Sequence, residues 1–431
     1  MKYSPVELLT VYLDRAERRK VGRMALRQRR ILFEYDSAFV ASGIELSPLK
    51  LPLRSGVFAP SESIFNGFYG VFNDSLPDGW GRLLLDRTVE KHGIQHGQLT
   101  ALDRLAFVGR HGMGALSYEP DRSASTGDET PLSLDQLAEE AMIVLVGESE
   151  EVFEQLLRLS GSSAGARPKI VAQVSSDGRR IIHGPQTLKR GFEHWMIKFP
   201  SSQDPRDIGA IEYAYSLMAG AAGIDMPKTR LFRTRKRGYF GTRRFDRVGD
   251  LRVHVHSLSG VLHADHRNPT LDYDMLLRVT LVLTKSIPEV EKAYALACFN
   301  VLAHNRDDHA KNFAYLLNDE NQWRFAPAYD LTFSNGPAGE QTMLVMGEGK
   351  NPGREHLAAL AKAHDLKRGV QILEKVREAV SRWRDFAAEA GLSAKSTGNI
   401  DELINPSAAK KTSTTPSSAS PSARRRSRKG R

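Results

Sequence analysis

Apolar residues near the beginning of the chain occur in short runs that are separated by turns or charges. The runs over residues 11–14, 21–26 and 30–36 are typical of β-strands. A helical pattern follows over residues 75–93. Residues 102–120 then predict a helix, a glycine-rich turn and a strand. The first part of the chain is therefore expected to be rich in β-structure.

The middle of the chain mixes helices and strands. Residues 121–133 are polar and predict a linker, and a helical pattern covers residues 134–157. After a glycine- and serine-rich loop that leads into an apolar run, we predict a strand over residues 193–200 and an amphipathic helix over residues 207–224. Two more strands follow this helix.

The last part of the chain is predicted to be mainly helical. Ser286 and Glu289 have the spacing of a capping box before a helical pattern. A hairpin and further helices, over residues 354–390, come next. From about residue 405 the chain consists of Ser, Thr, Ala, Pro, Lys and Arg, and this composition predicts disorder because it cannot form a core.

Composition and charge narrow the choice of function. The net charge is +10, but eight basic residues and no acidic residue lie within residues 403–431. The high charge therefore describes the tail and is no argument for nucleic-acid binding by the rest of the chain. The single cysteine, Cys298, excludes disulfides and cysteine-rich metal sites. We find no signal peptide and no run that could span a bilayer, so a reducing, cytoplasmic location is expected.

The sharpest chemical signal is the segment NRDDHAKN, residues 305–312. Asp307 and Asn312 are five positions apart, which is the offset between the catalytic Asp and the Asn of the protein-kinase catalytic loop. In that loop the carboxylate accepts the proton of the attacking hydroxyl, and the amide oxygen helps to hold magnesium. Asp308 is a rival for the base, but the offset favours Asp307. The simpler alternative is a polar helix end that is capped by solvated charges.

A predicted hairpin leads from this loop to Asp330, in the sequence APAYD. Protein kinases also place a magnesium-binding aspartate after the hairpin that follows the catalytic loop. Asp330 alone is equally consistent with a cap on a turn. The ordered series of Asp, Asn, hairpin and Asp favours the magnesium site.

Lys198 lies in a strand whose alternation places it on the face opposite Trp195 and Ile197. An ammonium group in apolar surroundings needs an anion. A nucleotide phosphate and the carboxylate of Glu212 are candidates, and a lysine that reaches solvent from a strand edge is the alternative.

The glycine-rich loop GSSAGARPK, residues 161–169, precedes this strand and has small residues where a backbone approaches phosphates. It matches neither a Walker A motif nor GxGxxG. Several histidines match no zinc spacing, and among them only His309, inside the catalytic loop, is singled out for function. These histidines are His254, His256, His263, His266, His304 and His309.

The segments SSAGARPK, MIKFP, RRFDR, DDHAKN and APAYD occur here in the order found in the HipA-type serine/threonine kinases, the toxins of type II toxin–antitoxin modules. LPDGWGRLLLDR and FVGRHGMGALSYEP resemble the N-terminal domain of that family. The resemblance covers roughly residues 11–390. It implies an α+β fold with a β-rich N-terminal domain (1–125) and a bilobal protein-kinase-like unit. That unit has an ATP-binding lobe (134–250) and a mainly helical catalytic lobe (251–395), and a disordered basic tail (405–431) follows.

The resemblance also implies ATP and Mg²⁺ as cofactors. It gives Asp307 as the proton acceptor and Asn312 and Asp330 as the metal ligands. Phosphorylation of Ser162, or of its neighbour Ser163, would silence the enzyme because the added charge repels ATP and pulls the loop out. The residues that it assigns to the nucleotide are Ala164, Gly165, Ala166, Arg167, Pro168, Lys169, Lys198, Arg243, Arg244, Phe245, His309, Ala310, Lys311, Asn312, Tyr329 and Asp330.

Two classes of function remain open. The first is a toxin kinase that phosphorylates a translation component such as an aminoacyl-tRNA synthetase. Its expected partners are a HipB-like helix-turn-helix antitoxin and, through that complex, operator DNA. The second is a small-molecule kinase, or a non-toxin regulatory protein of the same fold in a DNA-bound complex. The intact set of Lys198, Asp307, Asn312 and Asp330 argues against an inactive kinase fold, and no membrane partner is expected.

Overall fold

The computed structural model describes residues 3–28, 30–60, 64–91, 93–94, 96–123, 129–146, 153–160, 165–183, 187–265 and 271–406. The predicted site residues Ser162 and Ala164, together with Ser163, His266 and the basic tail beyond residue 406, lie outside the described residues. The predicted fold class is confirmed, because a β-rich N-terminal domain precedes a sheet-containing lobe and a mainly helical lobe.

The N-terminal domain contains a five-stranded antiparallel sheet. Its first strand buries every second side chain, including Leu9, Val11 and Leu13, so the sheet has one covered face. The elements are β1 (Leu8–Asp14), β2 (Arg18–Arg27), β3 (Arg30–Tyr35), α1 (Ser37–Ala41), β4 (Val57–Phe58), α2 (Gly70–Asn73), α3 (Gly79–Lys91), α4 (Ala101–Val108) and β5 (Leu116–Glu119). The strand order is β4-β3-β2-β1-β5.

The first lobe of the kinase-like unit, here called the sheet lobe, contains a six-stranded antiparallel sheet that packs against helices. The elements are β6 (Thr130–Pro131), α5 (Leu134–Val146), α6 (Phe153–Ser160), β7 (Lys169–Ser175), β8 (Ile181–His183), β9 (Phe192–Lys198), α7 (Ile208–Ala221), β10 (Thr229–Arg233), β11 (Gly238–Arg243), β12 (Arg247–Val248) and β13 (Leu251–Arg252). The large sheet has the order β10-β11-β9-β7-β8-β6. The predicted linker is thus not wholly irregular, because β6 pairs with β8 at the sheet edge.

The second lobe of the kinase-like unit, here called the helical lobe, consists mainly of helices around a three-stranded sheet, β14-β15-β16. Its elements are β14 (His254–Ser257), α8 (Leu258–Leu262), α9 (Tyr273–Thr284), α10 (Ile287–Leu302), β15 (Ala314–Leu317), β16 (Trp323–Phe325), α11 (Arg354–Ala363), α12 (Gly369–Ser381), α13 (Trp383–Ala390) and α14 (Ala394–Ile404). The lobe continues past the predicted boundary at residue 395, because Ile400 of α14 is buried in the core.

The predicted capping box at the start of α10 is wrong. The side chain of Ser286 makes no capping hydrogen bond. Glu289 turns to the hairpin instead, where its carboxylate accepts the main-chain N–H of Phe325 at 2.8 Å and pairs with Lys292 at 3.0 Å. A tertiary contact has therefore replaced the local one.

The N-terminal domain shares its apolar core with both lobes. One buried cluster joins its sheet to the helical lobe, and a second joins Trp80 and Leu84 of α3 to α5, α6 and β7. Among the described residues, no helix combines the length and the apolar character needed to cross a membrane.

Candidate active site

A cavity of about 730 Å³ lies where the two lobes and the N-terminal domain meet. It brings together residues from the glycine-rich loop, β9, the catalytic loop and the segment after β16, together with residues 243–245 at the end of β11, which we call the hinge. The predicted residues that line it are Gly165, Ala166, Arg167, Lys169, Lys198, Arg243, Arg244, Phe245, Asp307, His309, Lys311, Asn312, Tyr329 and Asp330. Two predicted residues in the described part of the chain, Pro168 and Ala310, are not among the lining residues.

Lys198 is the last residue of β9 and is almost completely buried. Its ammonium group lies 3.0 Å from the Glu212 carboxylate on α7 and 2.5 Å from the Asp330 carboxylate. Burial alone would lower the pKa of Lys198, but these two carboxylates raise it above its ordinary value. Lys198 therefore stays charged and ties the sheet lobe to the segment that carries Asp330.

Asp330 follows the hairpin of β15 and β16 and has a φ of 57°, which is uncommon for a residue with a side chain. Backbone strain of this kind is found preferentially at functional sites. Burial favours its neutral form, but the charges of Lys198 and Lys169 hold the pKa of Asp330 well below its usual range. Asp330 is thus an ionised carboxylate inside the cavity.

Asp307 and Asp308 point in different directions. The side chain of Asp307 is 56% exposed and lines the cavity, where its carboxylate lies 3.9 Å from His309 Nε2. Asp308 is fully buried beneath the loop and accepts hydrogen bonds from the Tyr273 hydroxyl at 2.6 Å and the Gln341 amide at 2.9 Å. Its carboxylate also accepts the main-chain N–H groups of residues 342 and 343. Asp308 therefore supports the loop from the inside of the lobe.

Asn312 ends a short 3₁₀ turn (Ala310–Asn312) and is oriented by a hydrogen bond from its Nδ2 to the main-chain oxygen of Asp307, at 2.7 Å. In the described part of the chain, no three His, Cys, Asp or Glu side chains are grouped so that they could hold a metal ion. Mg²⁺ does not require such a group, because it is usually held by one or two protein oxygens together with water and phosphates. The Asp330 carboxylate and the Asn312 amide fit that donor set.

The described part of the glycine-rich loop is anchored by Arg167. Its guanidinium group lies 2.9 Å from Asp204 and 3.1 Å from Glu212, so Glu212 is shared between Arg167 and Lys198. Lys169 lies beside Lys198 in the paired strands β7 and β9. Burial and the neighbouring charge of Lys198 lower the pKa of Lys169 to about 8, although Asp330 opposes the shift. The loop thus places two basic side chains, Arg167 and Lys169, at the wall of the cavity.

The hinge residues have distinct surroundings. Arg244 is buried and pairs with Asp246 at 2.7 Å, and Arg243 pairs with Glu193 at 3.3 Å. The ring of Phe245 packs against that of Tyr329, with centroids 5.5 Å apart. The Tyr329 hydroxyl donates to the main-chain oxygen of Lys311 at 2.6 Å. Both arginine side chains are thus engaged in ion pairs, so the backbone is the better candidate to meet a nucleotide base.

Sequence reasoning missed two parts of the cavity wall. One is apolar and includes Met196, Met226, Phe240 and Leu331. The other belongs to the N-terminal domain and consists of Asp74, Ser75, Asp78, Gly79, Met113 and Leu116. The motif that contains Asp78 was visible in the sequence, but no local pattern connects it with a catalytic loop more than two hundred positions away.

The side chains of His254, His256 and His263 are each engaged in a hydrogen bond. His256 Nδ1 lies 2.7 Å from an Asp74 carboxylate oxygen. His263 Nε2 accepts the main-chain N–H of Gly70 at 2.7 Å. These contacts join the N-terminal domain to the helical lobe.

Comparison with known proteins identifies the family. The sequence model described as HipA-like C-terminal domain matches residues 161–384, and the HipA N-terminal domain matches residues 9–119. The putative kinase Y4mE of Sinorhizobium fredii is 26% identical over 352 residues, which cover 76% of this chain and 77% of that protein.

A solved structure extends the comparison to the fold. It is a complex of the toxin–antitoxin proteins HipA and HipB with operator DNA from Shewanella oneidensis. One chain of that complex is 16% identical, with a TM-score of 0.65 over 92% of this chain and 95% of its own length. This similarity shows a common fold. Because the match to the C-terminal domain alone covers more than half of the residues, the chain belongs to the HipA family.

Proposed function

We propose that the protein is an ATP- and magnesium-dependent serine/threonine protein kinase. The observation that carries the proposal is the contrast within the catalytic loop. The Asp307 carboxylate opens to the cavity that contains Lys198 and Asp330, whereas Asp308 is buried and fully engaged. A loop that only capped a helix would need no such distinction between two adjacent carboxylates.

In the proposed reaction, the adenine lies between the apolar residues of the cavity and pairs with the hinge backbone. Lys169 and Lys198 hold the phosphates. Asn312 and Asp330 would hold magnesium, which when bound offsets the charge of the phosphates. Asp307 accepts the proton of the acceptor hydroxyl as its oxygen attacks the terminal phosphorus, and the bond between that phosphorus and the β–γ bridging oxygen breaks so that ADP leaves. Glu212 keeps Lys198 in place through their 3.0 Å contact.

We further propose that the chain is the toxin of a type II toxin–antitoxin module. A relative of the same fold is solved together with HipB and operator DNA, which supports a HipB-like antitoxin as the partner here. The proposed substrate is a translation component such as an aminoacyl-tRNA synthetase, and the proposed location is the cytoplasm. Phosphorylation of Ser162, a residue of the glycine-rich loop, is proposed to silence the kinase.

The test is transfer of labelled phosphate from ATP to protein, measured with and without magnesium. Wild-type protein and Asp319→Asn should both label protein substrates, because Asp319 is an exposed residue of the hairpin loop, outside the cavity. Asp307→Asn should not. Phosphoproteomics after brief induction, with Asp307→Asn as the control, then identifies the substrate. Absence of both ATP binding and transfer in the folded wild-type protein would overturn the proposal.

A further inference from the structure

Residues 78–80 of the N-terminal domain lie directly on the phosphate-binding loop. The Asp78 carboxylate accepts the main-chain N–H of Gly165 and also pairs with Lys311 of the catalytic loop at 2.7 Å. The main-chain N–H of Trp80 donates to the Gly165 oxygen at 3.1 Å. Both main-chain polar groups of Gly165 are therefore bonded to one short segment of another domain.

The close contact between residue 79 and the backbone of residues 165 and 166 requires a glycine at position 79. Gly79 has a φ of +42°, and a Cβ atom there would lie 2.6 Å from the Gly165 oxygen and 2.7 Å from Ala166 Cα. Both atoms belong to the backbone, so no side chain can move aside to make room. A larger residue at position 79 must displace either the loop or its own segment.

A second contact fixes the two ends of the loop. The Trp80 indole donates to the Ser160 hydroxyl at 2.9 Å, and that hydroxyl donates to the Lys169 main-chain oxygen at 2.9 Å. Ser160 directly precedes the glycine-rich loop, and Lys169 is its last residue. The buried Trp80 therefore ties the start of β7 to the end of α6 through Ser160.

We propose that residues 78–80 position the phosphate-binding loop, which makes the N-terminal domain a part of the ATP site. The inference rests on the proposed function. A loop binds phosphates through main-chain N–H groups whose directions depend on its conformation. Displacement of Gly165 should therefore weaken the binding of phosphates and leave the binding of the nucleoside unchanged.

The first experiment compares Gly79→Ala with Gly93→Ala. Gly93 also has a positive φ, +75°, and lies just beyond the other end of α3, but a Cβ there meets no atom within 4 Å. Calorimetric titration with ATP, ADP and adenosine separates the contributions. We expect Gly79→Ala to bind ATP and ADP about 10- to 100-fold more weakly, the effect of one lost charge-assisted hydrogen bond. Its adenosine affinity should be unchanged, and Gly93→Ala should bind all three like wild type.

The second experiment needs no nucleotide. Asp78→Ala removes the acceptor of the Gly165 N–H, so amide hydrogen exchange in peptides covering residues 165–170 should become faster than in the wild type. Unchanged exchange, unchanged ATP affinity in folded Gly79→Ala, or an equal loss of adenosine binding would each overturn the inference. If the wild type binds no ATP, the proposed function fails, while the exchange experiment still decides whether residues 78–80 hold the loop.

Discussion

Replacing Asp307 and Asp308 separately by asparagine tests the assignment of the catalytic base. The change is the same at both positions, because one carboxylate oxygen becomes an NH₂ donor. The Asp307 side chain is 56% exposed, so the change should alter the free energy of unfolding by no more than about 0.5 kcal/mol. Asp308 is buried and accepts four hydrogen bonds, from the hydroxyl of Tyr273, the amide of Gln341 and two main-chain N–H groups.

At position 308, the new NH₂ group must face at least one of these donors. Each buried polar group that loses its partner costs about 1–3 kcal/mol. Asp308→Asn should therefore destabilise the protein by about 2–4 kcal/mol, because one or two donors are left unpaired. For a domain of ordinary size, this corresponds to a decrease in Tm of about 5–10 °C.

For catalysis, in contrast to stability, Asp307→Asn should have the larger effect of the two substitutions. Loss of the proton acceptor at position 307 should reduce the single-turnover rate by about 10²- to 10⁴-fold. ATP affinity should be largely kept, because Lys169 and Lys198 are unchanged. Asp308→Asn, measured well below its Tm, should retain more activity than Asp307→Asn. The assays are single-turnover phosphate transfer at saturating ATP and magnesium, calorimetry and thermal unfolding. An active Asp307→Asn beside a folded but inactive Asp308→Asn would show that the assigned register of the catalytic loop is wrong.

Three further predictions concern the metal, the pH and the tail. Asp330→Ala should abolish phosphate transfer and the effect of magnesium on ATP affinity while the protein stays folded; magnesium-enhanced ATP binding by the variant would contradict the ligand assignment. Burial lowers the pKa of His254 to about 3 in the folded protein, whereas the unfolded chain binds a proton at this residue below about pH 6.5. The neutral, buried imidazole therefore costs no stability above pH 6.5, and the folded protein loses stability at this residue as the pH falls from 6.5 towards 3. His254→Gln should remove about 3–5 kcal/mol of the wild-type acid sensitivity in unfolding experiments, and an identical pH profile would refute this. Deletion of residues 407–431 should leave ATP turnover unchanged and weaken salt-sensitive binding to nonspecific DNA, and lost turnover would show that the tail belongs to the catalytic unit.

The parts of the site that sequence could predict are those with short-range spacing. Asp307 and Asn312 are separated by a fixed number of residues in one loop, and the hairpin to Asp330 follows at once. The pairing of Lys198 with Glu212 was also accessible, because a strand and the next helix are neighbours. Local spacing misled in one case, where the Ser286 pattern suggested a cap. Glu289 instead hydrogen-bonds to the backbone of β16, which no local pattern reveals.

The fold class was predictable because both the apolar periodicity and the order of the motifs are properties of the sequence alone. The contribution of the N-terminal domain to the cavity was not. Asp78 meets Lys311 across 233 positions, and Asp246 accepts the main-chain N–H of Gly114 across 132 positions. Such contacts depend on how domains pack, and a single sequence carries no periodic signal for them.

The N-terminal domain crosslinks the two lobes and therefore constrains how they move. Asp78 contacts the sheet lobe through Gly165 and the helical lobe through Lys311. Trp80 and Leu84 of α3 belong to the core of the sheet lobe, while the β1–β5 sheet shares its core with the helical lobe. Opening of the cavity by separation of the lobes would have to break one of these attachments. Because breaking the Asp78 contacts exposes few apolar atoms and separating either core exposes many, the Asp78 contacts are the attachment that costs least to break in such a motion.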